Sequence, residues 1–222
     1  ANHEIIGKKA RSQWVGPKLK SYTMDILLRA QDGVSPRSTL DYFQRAAESQ
    51  MVDWFIIGGR PSAGKTALSL QIACEQARRG FRVCYFSLET DPDTLTSRII
   101  ANRLAVPLAD VKAKTVPQSD LDSLADLHKL PLFIRSASGK GVGWVKAQAQ
   151  RMKAQVVFID YLQLLAASKA KDRYQQITSI SIGLHEFAQT TGILVIALAQ
   201  LNRNAAHASP SLSLIHISEP TR

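Results

Sequence analysis

The chain has 222 residues, of which 45% are hydrophobic and 21% charged, a composition that excludes a disordered protein and fits a folded domain. Its formal net charge of +10 favours phosphate-rich partners such as nucleic acid, although a solvated basic surface without a partner would give the same charge. No apolar run approaches the roughly 20 residues that span a bilayer, and no signal-peptide pattern is seen. We therefore expect no membrane partner and a cytoplasmic location, in the cytosol or nucleoid.

Residues 1–34 are predicted to form an N-terminal extension with one helix. Ser21 can cap this helix, which would end at Gln31 before the breakers that follow. Its apolar face would consist of Met24, Leu27 and Leu28. Two interpretations stay open for the segment: a linker helix, or the ordinary first helix of the next domain.

Residues 35–211 alternate helices with short apolar strands and are predicted to form one domain. Strands are expected at 52–57, 81–88, 131–134, 156–159 and 193–199. Helices are expected at 39–49, 91–104, 119–128 and 174–190, and around Val145 and Met152. A further helix is expected to follow the loop after the first strand and to end at about residue 79. Because each crossover helix must pack back onto the sheet, the pattern predicts an α/β fold with a mainly parallel sheet flanked by helices.

A complete GxxxxGK[ST] motif lies between the first of these strands and the following helix, which is the context that a phosphate-binding loop requires. The candidate nucleotide-binding residues are Gly59, Arg60, Pro61, Ser62, Ala63, Gly64, Lys65 and Thr66. Lys65 would reach the β and γ phosphates of ATP or another nucleoside triphosphate, and the Thr66 hydroxyl would ligate Mg²⁺. The alternative is a chance glycine-rich turn at a helix start.

Three polar residues follow predicted strands at the edge of the sheet where ligands bind in α/β proteins. Asp160 is the candidate acid on the metal side, and Glu89 is the candidate that orients or deprotonates the attacking water. Gln200 can donate to a γ phosphate. On position alone, Glu89 could equally be a helix-capping carboxylate and Gln200 a surface amide.

Cysteine and histidine usage indicates no metal cluster and no Ser-His-Asp arrangement. Cys74 lies in a helical pattern and Cys84 in a strand pattern, without the spacing of a zinc site. Both are expected to be buried thiols.

Four strings in the chain resemble the motor domain of DnaB-family replicative helicases, in the same order: RPSAGKT at 60–66, FSLE at 86–89, IDYLQL at 159–164 and ALAQLNR at 197–203. The resemblance covers about 35–211 and implies a RecA-like P-loop NTPase core. It also implies a hexameric ring that hydrolyses nucleoside triphosphate at subunit interfaces, moves along single-stranded DNA and separates a duplex.

The resemblance also implies roles for individual residues. Glu89 would be the catalytic base, Lys65 a catalytic cation, Asp160 the acid on the metal side, and Gln200 the sensor that links the γ phosphate to DNA-facing loops. Candidate DNA contacts, which could equally be a solvated basic face, are Lys146, Arg151, Lys153, Lys169, Lys171 and Arg173. Where the family carries basic residues in the long helix, this chain has Ile182 and His185.

The chain departs from the family at both ends, and we expect it to be a fragment. The family's N-terminal domain, which binds primase in many members, is not present, and contacts to a primase or loader would use such regions. The expected arginine finger and DNA loop lie beyond Arg203, which is too close to the sensor to be the finger. We therefore expect little hydrolysis from this chain alone. Residues 212–222 resemble translated adapter sequence and are set aside as a non-native tail, the alternative being a short strand at 214–217.

Two further functions remain as alternatives. One is a RecA-like recombinase or recombination mediator, against which the string at 160–163 argues. The other is a P-loop regulatory ATPase that does not act on DNA, for which the basic charge would be incidental.

Overall fold

A computed structural model describes residues 20–23, 54–166 and 173–200, and every structural statement below concerns these residues. Within them, six strands form one sheet in which each neighbouring pair is parallel. The strands are β1 (Lys20–Thr23), β2 (Trp54–Gly59), β3 (Val83–Ser87), β4 (Leu132–Ser136), β5 (Val156–Asp160) and β6 (Leu194–Gln200). Their spatial order is β1-β2-β6-β5-β3-β4.

The helices of the described residues are α1 (Lys65–Arg78), α2 (Pro92–Leu104), α3 (Leu108–Ala113), α4 (Gln118–Asp122), α5 (Val142–Arg151) and α6 (Arg173–Thr191). Single 3₁₀ turns occur at Leu127–Lys129 and Leu162–Leu164. No helix among the described residues is long and apolar enough to cross a membrane.

Both faces of the sheet are covered, because successive side chains of each buried strand point to opposite sides. In β2, Trp54 and Ile56 pack into the core under α5 and α6, whereas Phe55 and Ile57 pack into the core under α1 and α2. All six residues of β2 are buried. The predicted α/β architecture and its five strands are therefore confirmed, four of them inside the sheet and β4 at its edge.

The helix predicted from Ser21 is wrong over Lys20–Thr23, where the structure has strand β1. These four residues pair in parallel register with residues 55–58 of β2, from Lys20↔Phe55 to Thr23↔Gly58. The ladder satisfies backbone groups along an edge of β2 that would otherwise be open, and such tertiary pairing outweighs a weak helical pattern. Residues 24–31 and the predicted helix at 39–49 lie outside the described residues.

The helix predicted at 119–128 is also wrong in its extent, since α4 ends at Asp122. The four leucines that follow one another at intervals of three are joined by i→i−3 bonds: Leu124 N–H donates to Leu121 O at 3.0 Å, Leu127 to Leu124 at 2.8 Å and Leu130 to Leu127 at 3.2 Å. A spacing of three matches the 3₁₀ period and not the α period. The short helix α3 has no counterpart among the predicted helices.

Candidate functional site

The phosphate loop, Gly59–Thr66, joins the end of β2 to the first turn of α1. Ser62 and Gly64 have φ values of 59° and 84°, in the left-handed region, and at Gly64 this backbone conformation favours glycine. The helical ladder begins with the Leu68 N–H donating to Gly64 O at 3.0 Å. The preceding N–H groups of the first turn therefore have no intrahelical acceptor and can bind an anion.

Lys65 folds its side chain back over this loop. Its ammonium donates to Gly59 O at 3.0 Å and to Arg60 O at 2.8 Å, and the residue is 8% exposed. Burial lowers the pKa of Lys65, and the negative charges of Asp160 and Glu89 partly offset that effect. The ammonium thus lies in the concave side of the loop, held by two weak ligands that phosphate oxygens could replace.

Asp160, at the end of β5, accepts the hydrogen bonds of a small network of hydroxyl groups. The Thr66 hydroxyl donates to Asp160 Oδ2 at 2.8 Å, and the Tyr85 hydroxyl donates to the same oxygen at 3.0 Å. The Ser69 hydroxyl lies 2.7 Å from the Tyr85 hydroxyl. The structure therefore brings Lys65, Thr66 and Asp160 together as expected, and adds two residues that sequence reasoning missed.

The electrostatics of Asp160 reflect its burial, since the residue is 4% exposed. Burial raises the pKa of the Asp160 carboxyl, while the hydrogen bonds from Thr66 and Tyr85 and the charges of Lys65 and Arg98 oppose that rise. Two hydroxyl donors and a neighbouring ammonium thus favour the charged carboxylate in spite of desolvation.

Glu89 lies two residues beyond the end of β3, which is the strand that pairs with β5. The Leu88 N–H donates to Asp160 O at 2.8 Å, which joins the two strand ends beside the loop. Glu89 is exposed; its charge opposes the lowering of the Lys65 pKa by burial, and it adds to the rise that burial causes in the Tyr161 pKa. The cap of α2 is Asp91, whose carboxylate accepts from the Thr94 N–H at 2.8 Å, so Glu89 does not fill the capping position.

Gln200 ends β6 directly beside the phosphate loop, in register with Gly59. The side chain of Gln163, which follows β5, binds the Gln200 backbone twice: Gln163 Nε2 donates to Gln200 O at 2.8 Å, and the Gln200 N–H donates to Gln163 Oε1 at 3.2 Å. Arg173, at the start of α6, donates to Gln163 O. Gln163, also missed from the sequence, therefore fixes the backbone at the tip of β6.

Within the described part of the chain, the basic residues proposed as DNA contacts do not form one patch. Arg173 lies at the same edge of the sheet as the phosphate loop, whereas Lys153, whose carbonyl accepts from Arg82 Nε at 2.6 Å, lies near the start of β3 at the opposite edge. Lys146 places its amine 5.9 Å from the centre of the Phe187 ring. Lys169 and Lys171 lie outside the described residues.

The two cysteines are buried and free, as the sequence predicted. Burial raises the pKa of each thiol to about 11, so both are poor nucleophiles at neutral pH.

A sequence signal for part of the missed network did exist. Tyr85 lies in a short apolar strand, and a buried tyrosine hydroxyl generally needs a hydrogen-bond partner. Ser69 is three residues after Thr66 and therefore lies on the same side of α1. The partner of Tyr85 could not be named, however, without the pairing of β3 with β5.

The donor set suits a nucleotide with a hydrated divalent cation. Free N–H groups, a lysine ammonium, a threonine hydroxyl and a carboxylate converge at one end of a parallel sheet, in the arrangement that cradles phosphates next to Mg²⁺. Lys65 and the loop would hold the phosphates, and Thr66 and Asp160 would hold the cation.

Comparison with known proteins gives the same family. A family model described as "DnaB-like helicase C terminal domain" matches residues 38–218, a range that runs past the predicted domain end at 211. "Replicative DNA helicase DnaB" of Helicobacter pylori is 33% identical over 159 residues, which cover 67% of this chain and 33% of that protein. The protein of the same name from Treponema pallidum is 31% identical over 174 residues, 74% of this chain and 40% of that protein. The chain thus spans between a third and two fifths of these relatives.

Solved structures agree with this assignment. One that is described as an ATPase domain superposes with a TM-score of 0.68 at 28% identity, over 74% of this chain and 63% of that one. A structure described as "The Structure Of A DnaB-Like Replicative Helicase And Its Interactions With Primase" shares the fold, with a TM-score of 0.68 at 22% identity, over 89% of this chain and 57% of that one. The fold is therefore RecA-like, and the chain belongs to the family of DnaB-like helicase C-terminal domains.

Proposed function

We propose that this chain is the nucleotide-hydrolysing motor of a replicative DNA helicase, which uses ATP or another nucleoside triphosphate to move along single-stranded DNA and separate a duplex. The observation that supports this most is that Lys65, Thr66 and Asp160 come together at the end of a parallel sheet, with the charge of Glu89 acting on Lys65, in a member of this helicase family.

Nucleotide binding uses the backbone of the phosphate loop and the Lys65 ammonium. The β and γ phosphates replace Gly59 O and Arg60 O as ligands of the ammonium, and the N–H groups at the start of α1 donate to them. This exchange offsets the cost of burying the lysine charge, because phosphate oxygens are stronger acceptors for a cation than neutral carbonyls are.

The cation site consists of the Thr66 hydroxyl and the Asp160 carboxylate. When bound, Mg²⁺ would neutralise part of the negative charge that develops on the phosphates. Asp160 contributes a carboxylate already oriented by hydroxyl donors, and Thr66 contributes a hydroxyl oxygen at the start of α1.

Glu89 is proposed as the general base. Its exposed carboxylate accepts a proton from a water molecule as the water oxygen bonds to the γ phosphorus. The bond from that phosphorus to the β–γ bridging oxygen breaks, and the products are inorganic phosphate and the diphosphate. Lys65 stabilises the negative charge on the phosphates during this displacement.

Gln200 is proposed as the sensor of the γ phosphate. Its position beside Gly59 places it at the phosphate loop, and Gln163 holds its backbone. Because Gln163 binds both the Gln200 backbone and Arg173, a shift of Gln200 would displace the start of α6. The segment that precedes α6 contains Lys169 and Lys171, which are the candidate DNA contacts most directly joined to this edge by the chain.

The partners proposed for the complete protein are single-stranded DNA, five further copies in a hexameric ring, and a primase or helicase loader bound through other regions. A cytoplasmic location, in a bacterial or phage-infected cell, follows from these partners. The net charge of +10 supports binding to a polyanion.

The test is strand separation by the protein expressed from the complete reading frame. We expect ATP-dependent separation of a forked duplex with single-stranded arms and none of a blunt duplex of the same sequence, because the motor needs a single strand to move along. A non-hydrolysable ATP analogue serves as the control. Failure to separate the fork, with ATP hydrolysis intact, would contradict the proposal. In that case, filament formation on DNA would favour a recombinase, and indifference to DNA would favour a regulatory ATPase.

A further inference from the structure

Tyr85 is a fully buried tyrosine whose hydroxyl reaches the candidate cation site. Its ring stacks on Phe158, with centroids 5.6 Å apart and planes at 15°, and the residue is 0% exposed. Tyr85 pairs with Phe158 in the sheet, and Phe158 and Asp160 share one face of β5 because they are two residues apart. The register of β3 on β5 therefore directs the phenol toward Asp160, 3.0 Å from Oδ2.

The direction of the hydrogen bonds follows from the number of protons. A carboxylate can only accept, so the single proton of the Tyr85 hydroxyl goes to Asp160. A hydrogen bond across the 2.7 Å between the Ser69 and Tyr85 hydroxyls then has Ser69 as its donor. Thr66 O, 3.0 Å from Ser69 Oγ, is the alternative acceptor of the same proton. The bonds form a chain from α1 through β3 to β5, in which each member polarises the next.

Both hydroxyl donors to Asp160 among the described residues bind the same oxygen, Oδ2. The plane of a carboxylate is otherwise weakly restrained, because rotation about its last bond is broad. Two donors from different elements, Thr66 on α1 and Tyr85 on β3, restrain that plane and orient the other oxygen, Oδ1, and of the two only Tyr85 lies outside the phosphate loop.

Packing alone does not account for the hydroxyl. The core around the Tyr85 ring contains Phe55, Ile57 and Leu70 and is apolar, and a phenylalanine would fill the same space without burying a polar atom. The hydroxyl therefore contributes a hydrogen bond to Asp160 and does not contribute to the packing of the core.

We propose that Tyr85 is a positioning residue of the cation site: its hydroxyl, held by Ser69, orients the Asp160 carboxylate to hold a magnesium ion with the nucleotide. This inference rests on the proposed nucleotide and cation site and adds a residue to it. Groups that orient a metal-binding carboxylate typically contribute about 10- to 100-fold to metal affinity. Because Mg²⁺ is also held by phosphates and water, we expect the lower end of that range for Tyr85.

The experiment measures binding of a fluorescent ADP analogue to this chain, over a series of Mg²⁺ concentrations and in EDTA. For Tyr85→Phe we expect the Mg²⁺ concentration at half-maximal enhancement of binding to rise about 10-fold, with unchanged affinity in EDTA. Ser69→Ala removes the donor to Tyr85 and should shift the same midpoint less, in the same direction. Tyr174→Phe is the matched control, since Tyr174 is 47% exposed on α6, and should shift nothing.

Four results would overturn the inference. Equal Mg²⁺ midpoints for the wild type and Tyr85→Phe would do so, as would an equal loss of affinity with Mg²⁺ and in EDTA, because the hydroxyl would then support the loop and not Asp160. If Tyr85→Phe does not fold, an unchanged midpoint for Ser69→Ala has the same meaning. Nucleotide binding by the wild type that ignores Mg²⁺ would overturn the proposed cation site as well, so the two failures are distinguishable.

Discussion

Substituting Glu89→Gln is expected to reduce ATP turnover by about 10²- to 10⁴-fold in the protein from the complete reading frame, the range that a positioned general base contributes. Glutamine has nearly the same shape, but its amide cannot accept the proton of the attacking water. Nucleotide affinity should stay within a few-fold of the wild type, because the Glu89 carboxylate is exposed and lies outside the phosphate loop. Single-turnover kinetics and equilibrium nucleotide binding would separate the two effects.

The matched control for this substitution is Asp93→Asn, which removes one exposed carboxylate four residues away in the first turn of α2. It changes the net charge equally and should leave turnover close to the wild type. If Glu89→Gln retained turnover at the level of Asp93→Asn, the base assignment would be wrong, and the proton acceptor would have to be another group at this edge.

The second large effect is expected from Lys65→Met. The ammonium is the cation that lies within the phosphate loop, and a hydrogen bond to a charged group contributes about 1.5–3 kcal/mol. Nucleotide affinity should therefore fall about 10- to 100-fold, since about 1.4 kcal/mol corresponds to tenfold, and hydrolysis should be lost. Isothermal titration with ATP and Mg²⁺ measures the affinity directly.

Methionine matches the length of the lysine stem, and removing the ammonium also removes the cost of burying it, so the fold should persist. Circular dichroism and thermal melting would check this point. Lys112→Met, at an exposed lysine on α3, is the control and should bind nucleotide normally. Unchanged affinity in a folded Lys65→Met protein would show that the phosphates do not bind in this loop.

Much of the architecture could be predicted from the sequence because the internal strands are buried on both faces. Such strands are continuous apolar runs, as in 156–159 and 193–199, and the helices between them have clear stop signals such as Gly80. The phosphate loop was predictable for a similar reason, since its chemistry depends on consecutive residues. Asp160, Glu89 and Gln200 could be placed because each directly follows or ends a strand.

What could not be predicted depends on contacts between distant residues. Strand β1 forms because its backbone pairs with β2, and the sequence of its four residues does not indicate this pairing. The Tyr85 bond to Asp160 requires the register of β3 on β5, and the Gln163 bonds to Gln200 require β5 and β6 to be neighbours. The segment at 119–128 was mispredicted as one α-helix, because a leucine spacing of three fits one face of an α-helix as well as 3₁₀ turns.

We propose that hydrolysis at this site is coupled to the binding of single-stranded DNA. The most direct measurement is the steady-state ATPase rate of the protein from the complete reading frame, with and without single-stranded DNA, at fixed salt concentration. We predict that single-stranded DNA raises the turnover rate and that blunt duplex DNA raises it much less. Equal turnover in the presence and absence of single-stranded DNA would contradict the proposed coupling of hydrolysis to DNA.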